Sequence, residues 1–252
     1  MKFEVQLLIR YDIKTSYRIN IRDAIVEILR TARKFFKYRE LEDILELPAP
    51  VIWRYISGEV KPSVERAYEI LEKVKKRKLV KEVLRRAVAK INGDLVNLYT
   101  IIYNIDLLKL AAVEAYIEFS HLNPTTILTV ETDGIPLAVM TAAYMGTKIV
   151  VAKKRKEIGF EDYLEETYLA FDPPSLITLY VPHDVLEEQD QVLIVDDVLR
   201  SGRTSKALVN LAYKANAEVV GIYALLAIGN RWKSQLEDLT PKIHILYEIA
   251  QG

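Results

Sequence analysis

Val-Leu-Ile-Val-Asp-Asp-Val-Leu-Arg-Ser-Gly-Arg-Thr-Ser, residues 192–205, carries the strongest structural signal in this chain. Its apolar beginning predicts a buried parallel strand, which we expect to end at Asp196 and Asp197. A short polar turn follows, and residues 206–212 then show apolar positions at helical spacing. In an open α/β sheet, ligands bind beyond the carboxyl ends of the strands, where a turn leads into a helix. The segment therefore predicts a strand, a binding turn and a helix.

The turn between this strand and this helix combines backbone donors with hydroxyl and carboxylate groups. Free N–H groups at a helix start, together with the positive end of the helix dipole, bind anions. Gly202 permits a close approach of the backbone, and Ser201 and Thr204 add hydroxyl donors. Carboxylates accept hydrogen bonds from sugar hydroxyls, so we predict a site for a phosphorylated sugar. The expected ligand-binding residues are Asp196, Asp197, Val198, Leu199, Arg200, Ser201, Gly202, Arg203, Thr204 and Ser205.

The same fourteen residues resemble the motif with which type I phosphoribosyltransferases bind 5-phosphoribosyl 1-pyrophosphate (PRPP). That motif has four apolar residues, two acids and a Thr-Gly-x-Thr turn. The resemblance implies that Asp196 and Asp197 hold the ribose, that the turn 201–204 holds the 5′-phosphate, and that Mg²⁺ accompanies PRPP. An ordinary strand-to-helix connection with polar residues is the alternative.

A second segment resembles the pyrophosphate loop of the same family. Residues 131–138 read Glu-Thr-Asp-Gly-Ile-Pro-Leu-Ala and follow a predicted strand. The resemblance implies that Thr132, Asp133 and Gly134 contact the ligand. Asp133 departs from the family, because a carboxylate repels pyrophosphate unless Mg²⁺ lies between them.

A basic run, residues 153–156, follows the next predicted strand. The family carries basic residues at this place, which makes Lys153 and Lys154 candidate ligand contacts. A merely solvated basic cluster is the alternative. The polar residues 157–174 correspond to the mobile loop that covers the family's site.

Residues near the expected base site are less informative. Arg200 stands where the 6-oxopurine transferases of the family carry an Asp that acts as general base. A guanidinium does not accept a proton, so Arg200 argues against hypoxanthine and guanine chemistry. We assign no catalytic residue. Arg231, Trp232 and Tyr247 are candidates for a hood over a base, and packing in the core or an interface is the alternative.

Composition excludes several classes of protein. The 252 residues include no Cys, which excludes disulfides and thiolate chemistry, and the three His have no ligand-like spacing, which argues against a zinc site. No run approaches the ~18 apolar residues of a membrane span, and no signal-peptide pattern is present. We therefore expect a soluble, cytoplasmic protein without a membrane partner.

Charge is distributed unevenly along the chain. Residues 1–90 contain 22 Lys and Arg against 13 Asp and Glu, whereas residues 91–252 contain 13 against 22. A basic segment joined to an acidic one predicts a nucleic-acid-binding module, with a solvated helical face as the alternative. We expect a DNA-binding domain over residues 1–82 and a ligand-binding domain over residues 83–252.

The basic segment predicts four helices, beginning after Asn20, near Tyr38, near residue 51 and after Ser63. The second and third resemble a helix-turn-helix of the phage-repressor type, although Glu42 and Glu46 stand where that motif usually has Ala and Gly. In such a motif the third helix enters the major groove, where Arg54 is able to contact guanine. The expected DNA-binding residues are Ala49, Pro50, Trp53, Arg54, Ser57 and Lys61. For Trp53 packing is the alternative, and for the basic run 73–78 phosphate contact and a solvated face are equal alternatives.

The second half of the chain alternates predicted strands and helices. Strands are expected at 126–130, 147–152, 176–181 and 218–228, and a helix at 134–144. Such repeats produce a parallel, doubly wound sheet with right-handed connections. The predicted fold class is α/β: an all-helical N-terminal domain plus a doubly wound, type I phosphoribosyltransferase-like domain.

The combination resembles the purine-operon repressors of Gram-positive bacteria, and more closely the archaeal regulators that join a helix-turn-helix to a phosphoribosyltransferase-like domain. It implies a homodimeric regulator of nucleotide or sugar metabolism genes that binds a palindromic operator in double-stranded DNA. PRPP or a nucleotide monophosphate would be the effector and change DNA affinity. The alternative is an active purine or pyrimidine phosphoribosyltransferase with an accessory N-terminal domain.

Overall fold

A computed structural model describes residues 19–89, 98–171, 174–240 and 242–249. Residues 2–10, whose mixed apolar pattern permits a strand or a short helix, lie outside these ranges. So do Asn92 and Gly93, where the sequence predicts an interruption of the helical pattern. In the described ranges, no helix is both long enough and apolar enough to cross a membrane.

The first part of the chain forms helices at the predicted places. They are α1 (Ile21–Arg33), α2 (Tyr38–Leu45), α3 (Ala49–Ser57), α4 (Val64–Lys76) and α5 (Leu79–Ala89). Asn20 and Ser63 cap α1 and α4, because their side chains accept hydrogen bonds from the backbone N–H groups of Asp23 and Arg66. Gly58 follows α3 in the left-handed conformation, as predicted from its position.

The turn between α2 and α3 explains the two departures noted in the sequence. Glu46 ends α2 with a left-handed φ of 52°, the conformation that glycine usually supplies. Its carboxylate pairs with Lys73 of α4 at 3.1 Å. Glu42 accepts a hydrogen bond from the N–H of Ala49 at 2.7 Å, so it satisfies a free donor at the start of α3.

The second part of the chain forms an α/β sheet. Its helices are α6 (Leu98–Ile102), α7 (Ile105–Phe119), α8 (Ile135–Met145), α9 (Arg203–Lys214) and α10 (Lys233–Leu236). Its strands are β1 (Thr126–Val130), β2 (Lys148–Ala152), β3 (Tyr163–Phe171), β4 (Pro174–Pro182), β5 (Gln191–Leu199), β6 (Glu218–Ile228) and β7 (Ile243–Ile249). Five strands pair in parallel in the order β2-β1-β5-β6-β7. The parallel sheet predicted from the strand–helix repeats is confirmed.

Three details of the sheet were predicted wrongly. The segment 176–181 lies in β4, which pairs antiparallel with β3 in a separate hairpin instead of joining the parallel sheet. Much of the polar segment 157–174 is therefore strand β3, not an open loop. The strand β5 also continues past the two acids to Leu199, because Asp196, Val198 and Leu199 keep their pairing with β6.

Helices cover both faces of the sheet. Successive β5 residues point to opposite faces, so Leu193 belongs to the core beneath α7 and α8, whereas Ile194 belongs to the core beneath α9. The first of these cores continues without interruption into the N-terminal helices, where it includes Ile25 and Leu84. The segments on either side of the predicted boundary at residue 82 thus share one apolar core.

Candidate functional site

The strand order places the two ligand segments side by side. From β1 the chain proceeds outward to β2, whereas from β5 it proceeds the other way to β6 and β7, so the order reverses between β1 and β5. The crevice at such a reversal is where open α/β sheets bind ligands. The loop 131–134 leaves β1 there and opens α8, and the turn 200–202 leaves β5 and opens α9.

The paired acids differ in their surroundings. Asp196 is buried, and its carboxylate accepts hydrogen bonds from the Ser205 hydroxyl at 3.3 Å and from the Asp197 N–H at 3.0 Å. Burial and the charge of Asp197 raise the pKa of Asp196 well above its usual value. Burial also raises the pKa of Asp197, and the charge of Asp133 adds to the rise. Donors supplied by a ligand would stabilise the ionised pair.

The turn after β5 keeps a tight backbone that requires glycine. Gly202 has φ of 77°, and a Cβ there would lie 3.0 Å from the Cα of Trp232. Trp232 is only 6% exposed, and its backbone packs directly against this turn. For these two aromatic residues the alternative of packing holds: Trp232 lies in the core beneath α9, and Tyr247 is half-buried against the core on the other face of the sheet.

Not all ten residues predicted from this motif are able to offer a side chain to a ligand. Leu199 is 1% exposed, Val198 packs against the core, and the Ser205 hydroxyl is buried against Asp196. The side chains of Leu199 and Ser205 are buried by β5 and the first turn of α9, and that of Val198 is half-buried, so these three positions would contact a ligand mainly through backbone atoms. Ser201 and Thr204 remain at the surface of the turn, where Thr204 donates to the Tyr168 hydroxyl at 3.2 Å.

A cleft of about 590 Å³ opens beside this turn. Its lining combines the turn with β3, the end of β6 and α10. The residues are Tyr168, Ala170, Arg200, Ser201, Arg203, Thr204, Ile228, Arg231, Ser234 and Gln235. Arg203 also donates to the carbonyl oxygen of Leu169 at 2.7 Å, which ties the β3–β4 hairpin to α9. The guanidinium groups of Arg200, Arg203 and Arg231 thus make the lining of the cleft cationic.

The loop after β1 lies close to the acids. A Cβ at Gly134 would lie 2.6 Å from the Thr129 hydroxyl and 3.4 Å from Asp196 Oδ1, so only glycine fits between this loop and β5. The Glu131–Thr132 peptide bond in the loop is cis. The Asp133 carboxylate accepts a hydrogen bond from the Tyr103 hydroxyl at 2.6 Å.

The basic run after β2 is only partly available to a ligand. Lys153 forms an ion pair with Glu157, and its backbone pairs with that of Tyr180. The backbone N–H of Lys154 donates to the Glu131 carboxylate at 2.7 Å, while its side chain is exposed. Lys154 is thus better placed than Lys153 to offer a free ammonium group.

Two aromatic residues beside the loop were missed at the level of sequence. Tyr99 and Tyr103 have ring centroids 4.6 Å apart and are 70% and 41% exposed. The hydrogen bond to Asp133 comes first among the causes that raise the pKa of Tyr103 to about 12. Their four-residue spacing at the start of the second domain was the available signal, because residues four apart share one face of a helix.

The residues expected to contact DNA fall into two groups. Pro50, Trp53, Arg54 and Ser57 lie exposed along α3, with Trp53 at 47%, whereas Ala49 is half-buried. Lys61 forms an ion pair with Asp23 at 2.6 Å.

The basic run 73–78 is also partly used within the protein. Lys73 and Arg77 pair with Glu46, and Lys75 pairs with Glu118 of α7. Half of this run therefore holds helices together instead of forming a free cationic face.

Comparison with known proteins finds similarity in the second part of the chain. The family model described as phosphoribosyl transferase domain matches residues 99–246. A xanthine phosphoribosyltransferase from Geobacillus thermodenitrificans is 36% identical over 118 residues, which are 46% of this chain and 60% of the relative. One from Bacillus thuringiensis is 35% identical over 106 residues, or 41% and 53%. The match thus spans little more than half the length of these bacterial relatives, and neither is named as a regulator.

Solved structures show the same fold. The adenine phosphoribosyltransferase from Rhodothermus marinus superimposes with a TM-score of 0.57 at 23% identity, covering 68% of this chain and 99% of its own. The APRTase from Giardia lamblia, solved with 9-deazaadenine, also gives 0.57, at 19% identity and with coverage of 64% and 91%. At these identities the likeness concerns the arrangement of helices and strands.

Proposed function

The chain belongs to the phosphoribosyl transferase family, and on that premise we propose that it transfers a 5-phosphoribosyl group from PRPP to a purine base. One observation carries the proposal. The acids of β5 lie at the strand-order reversal, between a glycine-dependent turn that opens α9 and a second loop that opens α8. This arrangement offers acceptors for a sugar between two groups of backbone donors for phosphates.

Each element of the site has a chemical task in this reaction. A ring nitrogen of the base bonds to C1 of the ribose while the bond from C1 to the pyrophosphate oxygen breaks. Asp197 accepts hydrogen bonds from the ribose hydroxyls, and Asp196 with Ser205 holds Asp197 in place. The N–H groups at the start of α9, with Ser201 and Thr204, bind the 5′-phosphate and fix the orientation of C1.

The cationic cleft favours a base that presents carbonyl oxygens. Guanidinium groups only donate hydrogen bonds, so Arg200 and Arg231 suit the oxygens of an oxopurine and not the amino group of adenine. Xanthine, which the names of the curated relatives mention, is such a base. Arg200 provides no proton acceptor, which favours a dioxopurine acidic enough to release its proton to water.

Mg²⁺ fits the site through two carboxylates. Asp133 lies near enough to Asp197 for its charge to raise the pKa of Asp197. Within the ranges that the structure describes, no three acidic or histidine side chains form a metal cluster. Asp133 and Asp197 would therefore share the ion with oxygens of the ligand. When bound, the ion neutralises charge on the departing pyrophosphate.

The proposal is tested by measuring pyrophosphate release from PRPP and Mg²⁺ with xanthine, hypoxanthine, guanine and adenine. We expect release with xanthine and little with adenine. Release with adenine alone would contradict the assignment of the cleft. No release with any of the four bases, from a protein shown to be folded, would contradict the transferase.

A second candidate function is a DNA-binding regulator with PRPP or a nucleotide monophosphate as effector. The exposed face of α3 favours it, because the neighbouring side chains of Trp53 and Arg54 are both accessible there to a DNA partner. Three residues, including the left-handed Glu46, join α2 to α3, which is a turn length typical of a helix-turn-helix. A homodimer would present two such helices to a palindromic site.

Replacing Arg54 by Ala tests this second function. If α3 reads DNA, loss of a bidentate contact to guanine should weaken specific binding by roughly 1–3 kcal/mol, while nonspecific binding persists. Mobility shifts with specific and scrambled DNA, with and without PRPP, measure both. Lys81→Ala, at an exposed position of α5, is the matched control for the loss of one basic side chain. Unchanged preference in Arg54→Ala would rule out this contact.

A further inference from the structure

The loop after β1 and the turn after β5 would contact different parts of a phosphoribosyl ligand. Strand β5 lies between β6 and β1, so its acids separate the cleft beside β6 from the loop 131–134. A ribose held by Asp197 with its 5′-phosphate on the turn 201–204 has C5 on the side of the cleft. In PRPP the pyrophosphate at C1 and the C5 group lie on opposite faces of the ribose ring, so the pyrophosphate faces the loop 131–134. A base that displaces it enters from the opposite face, on the side of the cleft.

These two sides of the site carry opposite charge. Arg200, Arg203 and Arg231 line the cleft on the side of the 5′-phosphate. The loop on the side of C1 contributes Glu131 and Asp133, both carboxylates. Side-chain charge therefore attracts a phosphate on the first side, whereas on the second side it opposes the binding that the backbone donors of the loop favour.

The basic residues that follow the neighbouring strand β2 do not neutralise the carboxylates of this loop. Lys153 follows β2, but its ammonium group forms an ion pair with Glu157. Lys154 contributes its backbone N–H to Glu131, and its side chain is exposed to solvent. The loop thus has no buried cation to offset its carboxylates among these residues.

Asp133 is held in this position by a neutral group. The Tyr103 hydroxyl donates to Asp133 Oδ1 at 2.6 Å. Tyr103 immediately precedes Asn104, whose side chain caps α7 by accepting from the N–H groups of Asp106 and Leu107. Because α7 packs against the sheet and the N-terminal helices, the hydroxyl is fixed relative to the loop. A hydroxyl donor orients the carboxylate without removing its charge.

We propose that Asp133, positioned by Tyr103, makes the site discriminate against pyrophosphate at C1. Phosphoribosyl ligands without that group bind to the protein alone, whereas PRPP binds well only together with a divalent cation. The inference rests on the proposed phosphoribosyl site. It assigns Asp133 as a specificity-determining residue and Tyr103 as a positioning residue. It also makes a nucleoside monophosphate the ligand that the free site retains.

Ribose 5-phosphate and PRPP provide the matched probes, because they differ only in the pyrophosphate. Calorimetry measures both affinities in EDTA and in Mg²⁺. In EDTA we expect Asp133→Asn to raise the affinity for PRPP about tenfold and that for ribose 5-phosphate less than about twofold, since only the pyrophosphate lies near the lost charge. In Mg²⁺ the gain for PRPP should vanish or become a loss, because the substitution also removes a carboxylate that would hold the ion together with the pyrophosphate.

Glu218→Gln is the control for removing one negative charge. Glu218 is the exposed first residue of β6, and it lies at the opposite end of the strands from the acids. We expect it to change neither affinity. If Glu218→Gln and Asp133→Asn have equal effects on PRPP, the discrimination is a property of net charge and the inference is overturned.

Tyr103→Phe tests whether the position of the Asp133 carboxylate matters in addition to its charge. It keeps the ring in contact with that of Tyr99 and removes only the hydroxyl, so Asp133 is free to turn toward solvent. We expect a gain in PRPP affinity in EDTA of about threefold, smaller than that of Asp133→Asn because the carboxylate stays charged. Wild-type affinities in Tyr103→Phe would overturn the role of Tyr103.

Failure of this inference is distinguishable from failure of the proposed function. Wild-type protein that binds both probes, with an unchanged ratio in Asp133→Asn, overturns the role of Asp133 and leaves the phosphoribosyl site intact. Wild-type protein that binds neither probe, with or without Mg²⁺, overturns the phosphoribosyl site and this inference together.

Discussion

Asp197→Asn should lower the affinity for PRPP and the rate of phosphoribosyl transfer at least about 100-fold. An ionised carboxylate that accepts two sugar hydroxyls gains about 1.5–3 kcal/mol from each charge-assisted hydrogen bond. The amide of Asn keeps the shape but offers one oxygen acceptor and two donors, so it satisfies at most one of these bonds. Calorimetry with PRPP and Mg²⁺, together with the pyrophosphate-release assay, measures the loss.

The same substitution should leave the fold intact or stabilise it slightly. Asp197 adds its charge to that of buried Asp196, which raises the pKa of Asp196 and disfavours the ionised pair. Removing that charge relieves the repulsion, so the melting temperature should not fall. Asp184→Asn, at an exposed turn after β4, is the matched control and should retain activity. An unaltered affinity for PRPP in Asp197→Asn would exclude this residue as a sugar contact.

Glu114→Gln should change the pH dependence of the free energy of unfolding, with a difference from wild type of up to about 3 kcal/mol. Glu114 lies on α7, buried beside β7, with its Oε1 atom 3.7 Å from Nε2 of His244. Burial raises its pKa to about 7, and the neighbouring Glu118 adds to the rise, while Lys75 and Lys242 oppose it. Between pH 4.5 and 7 the unfolded chain therefore releases this proton and the folded chain keeps it. The free energy of unfolding due to Glu114 thus falls as the pH rises through this window.

Chemical denaturation at pH 5 and pH 8 measures this effect. The wild-type protein should lose stability relative to Glu114→Gln as the pH rises, because the amide does not ionise. Burial lowers the pKa of His244, so His244 contributes to the pH dependence with the opposite sign in both proteins. Exposed Glu188→Gln should behave as wild type. Parallel pH profiles for wild type and Glu114→Gln would contradict the raised pKa of Glu114.

Glu114 belongs to a cluster of charged residues between the two parts of the chain. Glu118, one turn further along α7, binds Lys75 of α4 at 3.4 Å and Lys242 before β7 at 3.0 Å. The cluster therefore joins the N-terminal helices to the edge of the sheet. A change of protonation at Glu114 acts where the two parts of the chain meet.

Much of the fold is predictable from short-range patterns. Asn20 and Ser63 begin helices, Gly58 ends one, and strands 126–130 and 218–228 lie where apolar runs predict them. Caps and periodicity act within a few residues, so they are visible in sequence without knowledge of what packs nearby. The acid pair and its turn belong to the same class, because strand, turn and helix are contiguous.

The sequence alone thus determined the parallel sheet, the helices and the segments that surround the site. Only the tertiary structure decided that Tyr103 binds Asp133 thirty residues away, that Trp232 supports Gly202, and that β3 pairs with β4. It also decided that Lys73 and Lys75 pair with acids of other helices and are not free cations. The physical reason is that such contacts depend on which elements become neighbours when the core is buried. A local pattern states which face of a helix or strand is apolar, but it does not state what that face will meet.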